Sequence, residues 1–147
     1  MREIKFRTWD KSRKQMVQVR QILIPDGNNE NGLQEVSVSG LKFGTNPSYW
    51  QIAPPLMQYT GLKDCKGREI YEGDIIEIEL SPERAFTDGQ PEIFRIKVVY
   101  SEYSTGFHGI RMDDERSTPY SLGFSGSAVI RREVIGNVWE NPELLEA

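Results

Sequence analysis

The residues with the greatest chemical reach are the scarcest in this chain of 147 residues: one cysteine, Cys65, and one histidine, His108. A thiol nucleophile needs a base beside it and a third group to hold that base. Cys65 falls in Asp64-Cys65-Lys66-Gly67, where Asp at the first position and Gly at the last predict a type I turn. No helix amino terminus lies near enough to lower its pKa, so an ordinary surface thiol is expected. His108, between Gly106 and Gly109 on a predicted strand, is expected to be a surface or satisfied sheet histidine. One Cys and one His cannot supply the usual four structural zinc ligands, and no intrachain disulfide can form.

Carboxylates offer a second chemistry, metal-dependent hydrolysis, which requires several acids to converge on the ions. The candidates are Asp74, Glu77 and Glu79, and the run Asp113-Asp114-Glu115. On a strand, Glu77 and Glu79 would stand roughly 6–7 Å apart on one side, which predicts a solvated face. Asp113-Asp114-Glu115 reads as a charged turn before Arg116. Glu72-Gly73-Asp74 reads as a tight turn in which Asp74 bonds the turn's own backbone. Neither a phosphate-cradling glycine loop followed by Lys-Ser/Thr nor a Gly-x-Ser-x-Gly elbow is present. The sequence therefore assigns no catalytic residue, no metal ligand set and no cofactor. A non-enzymatic protein is expected, with a divalent-metal hydrolase as the least favoured alternative.

The third chemistry is charge recognition. Net charge is −4, but residues 1–20 hold Arg2, Lys5, Arg7, Lys11, Arg13, Lys14 and Arg20 against Glu3 and Asp10, a balance of +5, and the remainder stands at −9. A basic segment of this kind suits a polyanion or the acidic body of a second copy. A solvated strand face accounts for the same pattern. Trp9 flanked by Lys5 and Arg7 pairs an aromatic with cations, as strand-binding barrels do, and Arg95 with Lys97 forms a second basic alternation. Lys5, Arg7, Trp9, Arg95 and Lys97 are the candidate interaction face. Homo-oligomerisation is the leading expectation. Nucleic-acid binding is the alternative, opposed by the acidic second half.

Strand patterns must position these groups. Ile4, Phe6 and Thr8 alternate with Lys5, Arg7 and Trp9, and Met16–Val19 is predicted to return as the second strand of a hairpin. Residues 25–32 are rich in turn formers, and Val36 with Val38 suggests a short strand. An irregular segment over 45–55 marks a soft boundary. Residues 57–62 and 69–71 flank the Asp64 turn. Ile76, Ile78 and Leu80 share one face of the next strand, residues 93–100 form the clearest strand candidate, and 106–110 and 134–139 complete the set. Residues 121–127 read as a flexible loop. Asn141, Pro142 and Glu143 occupy N-cap, first-position and first-turn places of a short helical turn that Leu144 and Leu145 would dock. Short strands with closely spaced turns predict an all-β small barrel or sandwich. No apolar run approaches the roughly 20 residues that span a bilayer, and the opening residues lack a signal-peptide core. A cytoplasmic protein without a membrane partner is expected.

Three blocks then resemble the YopX-like proteins of phages and prophages: Arg2-Glu3-Ile4-Lys5-Phe6-Arg7-Thr8-Trp9-Asp10, the stretch from Leu56 through Gly67-Arg68-Glu69-Ile70-Tyr71-Glu72-Gly73-Asp74 to Ile76, and Val134 to Leu145. The resemblance implies a carboxyl-terminal SH3-like barrel and an amino-terminal part able to take part in self-association. It supplies no catalytic residues. The expected arrangement is an amino-terminal β segment with a hairpin over 1–50, an SH3-like β-barrel over 56–140, and a short tail with the helical turn over 141–147. Residues 20–55 depart from the shortest members of that family.

Overall fold

The computed structural model describes residues 3–23, 37–40, 51–52, 55–83, 89–101, 105–114, 120–122 and 129–146. The chain divides into two compact units, Glu3–Gln58 and a second formed mainly by Tyr59–Ala147. The expected loop over 25–32, Val36 and the segment 44–48 lie outside the described residues.

In the amino-terminal unit, β1 (Phe6–Asp10) and β2 (Gln15–Leu23) form an antiparallel hairpin in which Thr8 faces Val17 and Trp9 faces Met16. The turn between them is fixed by Asp10, whose Oδ1 accepts the Ser12 and Arg13 amides at 2.9 and 3.2 Å. Two short strands continue from β2: β3 (Ser37–Gly40) and β4 (Gln51–Ile52), the latter inside a segment expected to be irregular. On its other side β1 pairs with the first part of β5 (Leu56–Lys63). Of the expected row Ile4, Phe6 and Thr8, the last is fully buried, and Asp10 extends it. Thr8, Asp10 and Val17 are fully buried, whereas Ile4 lies before β1 and is 69% exposed. Thr8 enters the interior because its hydroxyl donates to the Pro55 carbonyl at 3.0 Å, which removes the cost of burying it.

In the carboxyl-terminal unit, the second part of β5 pairs with β6 (Glu69–Tyr71). There follow β7 (Asp74–Leu80), β8 (Glu92–Ser101), β9 (Gly106–Arg111), β10 (Tyr120–Ser121) and β11 (Val129–Asn137), in a five-stranded antiparallel sheet of order β10-β9-β8-β7-β11. Period-two alternation places Ile76, Ile78 and Leu80 of β7 with Phe94, Ile96 and Val98 of β8 on one face. Ile70, Leu122 and Val134 join them in the core. Each such aliphatic or aromatic side chain contributes about 1.5–3 kcal/mol on burial. Ser121, expected in a flexible loop, instead pairs with His108, and Leu122 is buried. Residues 123–128 lie outside the described residues.

Two turns, one between β5 and β6 and one between β6 and β7, lead the chain into this sheet. Asp64 accepts the Lys66 and Arg68 amides through Oδ1, and Gly67 N–H closes the turn on the Asp64 carbonyl. In the second, Gly73 adopts φ +80°, a left-handed value that favours glycine. Buried Asp74 accepts the Tyr71 amide at 2.8 Å, as the tight-turn reading of Glu72-Gly73-Asp74 requires. After β11, Pro142–Leu145 forms one turn of 3-10 helix. Asn141 does not cap it. Its side chain accepts the Asn137 amide and donates to Glu143, because the chain folds back on itself at Asn137.

Candidate functional site

Side chains at alternate positions of β7, β8 and β11 turn away from the core and build a charged face. The register aligns Arg131, Glu79 and Ile93 in one row across the three strands and Glu133, Glu77 and Arg95 in the next. Arg131 sits at the centre. It donates to Glu77 at 2.8 Å, Glu79 at 3.2 Å and Glu133 at 2.8 Å. Lys66, carried to this place by the Asp64 turn, pairs with Glu133 from the other side. Arg95 approaches Glu77 at 3.9 Å. The solvated row expected of Glu77 and Glu79 is thus corrected: both are ion-paired, because β11 lies beside β7 and brings an arginine into register with them. The hydrogen bonds to Glu79 and then Glu77 hold Arg131 more firmly charged than a free guanidinium. Lys66 foremost, with help from Arg131, holds the Glu133 carboxyl below the usual range against a modest desolvation cost.

At the margin of this face a shallow depression of about 210 Å³ is lined by Ile93, Phe94, Arg95, Met112, Asp113 and Leu144. Arg111 borders it. Its guanidinium lies 4.0 Å from the centre of the Phe94 ring, reaches Glu92 at 2.7 Å and grips Asp113 through two bonds of 2.9 and 2.7 Å. Asp113 is accordingly the partner of an arginine, which lowers its pKa, rather than a free turn residue. Glu115 lies outside the described residues.

The five residues of the expected interaction face divide between the units. Lys5, Arg7 and Trp9 occupy the side of the β1 segment opposite buried Thr8 and Asp10, and Lys5 pairs with Glu3 at 3.0 Å. Arg95 and Lys97 stand two residues apart on the charged face of β8, level with Glu77 and Ile75 of β7. Arg131, Glu133, Lys66 and Arg111 were not singled out from sequence. The run of charges Arg131-Arg132-Glu133 interrupts the apolar pattern, whereas β11 starts at Val129 and carries all three.

Cys65 is exposed, and its amide donates to the Arg132 carbonyl on β11. His108 lies in β9, separated from β11 by β8 and β7, a span of roughly 14 Å at ordinary strand spacing. They are therefore not a catalytic pair. Among the described residues no three His, Cys, Asp or Glu side chains group as a metal site, and no helix is long and apolar enough to cross a membrane.

No protein with a curated description matches the sequence. Among solved structures, the crystal structure of protein EF1440 from Enterococcus faecalis is similar at 26% identity, with a TM-score of 0.59 and coverage of 99% of each chain. Its resemblance fits the mostly β, antiparallel architecture found here. The sequence matches the family described as YopX protein over residues 5–146, nearly its whole length, and the chain belongs to that family.

Proposed function

We propose that this protein is a non-enzymatic binding or assembly module that associates with copies of itself in the host cytoplasm, its carboxyl-terminal part closing as an SH3-like barrel under the terminal turn. The observation that carries the reading is the engagement of the acidic side chains. Glu77, Glu79 and Glu133 are spent on Arg131, and Asp64 and Asp74 on backbone amides of turns. Acids committed in this way build a surface and a scaffold. A hydrolytic centre needs them converging and open to an ion. Exposed large apolar side chains, Ile4 in one unit and Ile93, Tyr100, Ile130 and Leu145 in the other, supply area that a partner would cover.

Light scattering of the full chain at micromolar concentration and moderate salt is expected to return a mass of at least two copies. A monomer under those conditions overturns the self-association. Titration of short single- and double-stranded DNA at low salt is expected to give no binding. Binding that weakens steeply with salt and disappears in Lys5→Glu/Arg7→Glu would replace this reading with a nucleic-acid one.

A further inference from the structure

We propose that the tip of the β1–β2 hairpin, through Lys11, Lys14 and the Trp9–Met16 pair, docks on the turn around Glu143, Leu145 and Glu146 of a second copy of this chain. The inference rests on the self-association proposed above and names the two surfaces that meet.

Both surfaces carry charge that a single chain leaves unpaired. Lys11 and Lys14 are exposed and, among the described residues, engage no acid. Glu143 and Glu146 are exposed and engage no base among them, the Glu143 carboxylate accepting the Asn141 side-chain amide at 3.2 Å. The spacings match. Asp10 and Gln15 face each other across the hairpin, so Lys11 and Lys14 are the first and last residues of the turn between them, less than about 7 Å apart. Pro142–Leu145 is a 3-10 turn, and the Glu146 amide donates to the Glu143 carbonyl. Side chains three positions apart eclipse in that conformation, about 6 Å apart at about 2.0 Å per residue. Each surface also has an apolar element: Trp9 faces Met16 beside the basic tip, both half-buried, and Leu145 beside the two acids is 43% exposed. Neither surface has to be ordered on docking. The buried Asp10 carboxylate holds the Ser12 and Arg13 amides, and the Leu144 amide closes the acidic turn on the Asn141 carbonyl. A polyanion gains affinity with each phosphate neutralised, and two unpaired lysines on a chain of net charge −4 neutralise few. An acidic turn of matched spacing fits the tip better, and every copy of this chain carries one.

Reversed charges in the full chain provide the test. Lys11→Glu/Lys14→Glu and Glu143→Lys/Glu146→Lys each set like charges against one another between copies. Each alone is expected to weaken association by about tenfold or more in sedimentation velocity. Mixed, the two variants meet with opposite charges at both kinds of contact, and the mixture is expected to regain association as a heteromer. Leu145→Gln, at an exposed position, is expected to weaken association as well, and it serves if a charge variant fails to fold. Wild-type monomers would remove both this proposal and the reading beneath it. Wild-type oligomers with every variant associating normally would overturn these surfaces while leaving self-association standing. Weakened charge variants that do not recover on mixing would overturn the pairing too, since their effect would then lie within one chain. Short DNA bound by the wild type at low salt and lost in Lys11→Glu/Lys14→Glu would assign the tip to a polyanion and overturn the proposal.

Discussion

Arg131 illustrates how much one residue can organise on a sheet surface. Its planar fork serves three carboxylates at different angles, a task that a lysine, as a single point charge, cannot match. Arg131→Gln leaves Glu77, Glu79 and Glu133 repelling one another and is expected to lower the melting temperature, by less in high salt than in low, as followed by circular dichroism. Glu133 adds a pH signature. Its carboxyl titrates below the ordinary range when folded. Its contribution to stability is therefore full above the unfolded pKa and fades as pH falls through the folded one. The stability gap between wild type and Glu133→Gln, measured by urea unfolding, is expected to be constant near neutrality and to close in acid. A gap that persists at pH 2 would contradict the pairing.

At the scale of elements, the Asp64 turn does more than reverse the chain. Cys65 N–H donates to the Arg132 carbonyl, the Asp64 Oδ2 accepts the Val134 amide at 3.1 Å, and Arg68 donates to the Val134 carbonyl. These bonds occupy backbone groups that β11, at the end of its sheet, would otherwise offer to a foreign strand. Burial works against the charge on Asp64, but the amides of Arg68, Val134 and Lys66 outweigh it and keep the carboxyl below its usual range. Asp64→Ala is expected to cost about 1–3 kcal/mol and to speed hydrogen exchange at the Val134 amide. At the other end of β11, a Cβ on Gly136 would lie 2.6 Å from the Asn141 carboxamide oxygen and 2.8 Å from Leu144 Cδ1. Gly136→Ala should therefore lift the terminal turn, at about 1–3 kcal/mol, with faster proteolysis after Asn141. The two turns at 64–67 and 72–74 were legible in the sequence because each is fixed by residues two to four apart. The ion-pair lattice was not, since it joins partners 52 and 54 positions apart and depends on a strand register that no local pattern encodes.

At the scale of the molecule, the uneven charge between the leading residues and the rest was readable from composition, and the strand-rich class from alternation. In β1 the inward place of Thr8 was readable from the same alternation, whereas the burial of Asp10 was not, because its residue type and its bonds to the Ser12 and Arg13 amides belong to a turn. Calorimetric titration with magnesium and manganese is expected to show no heat. Binding that Asp74→Asn or Asp113→Asn weakens would restore the hydrolase alternative. The pairing of β7 with β11 across some fifty intervening residues also carries a kinetic consequence. Closing so long a loop is entropically costly, and sheets built from distant segments assemble slowly. During synthesis β7 emerges with Glu77 and Glu79 lacking the arginine that later neutralises them. The docking of β11 is accordingly expected to slow as salt screens the attraction that draws that strand home, as read by stopped-flow refolding across a salt series.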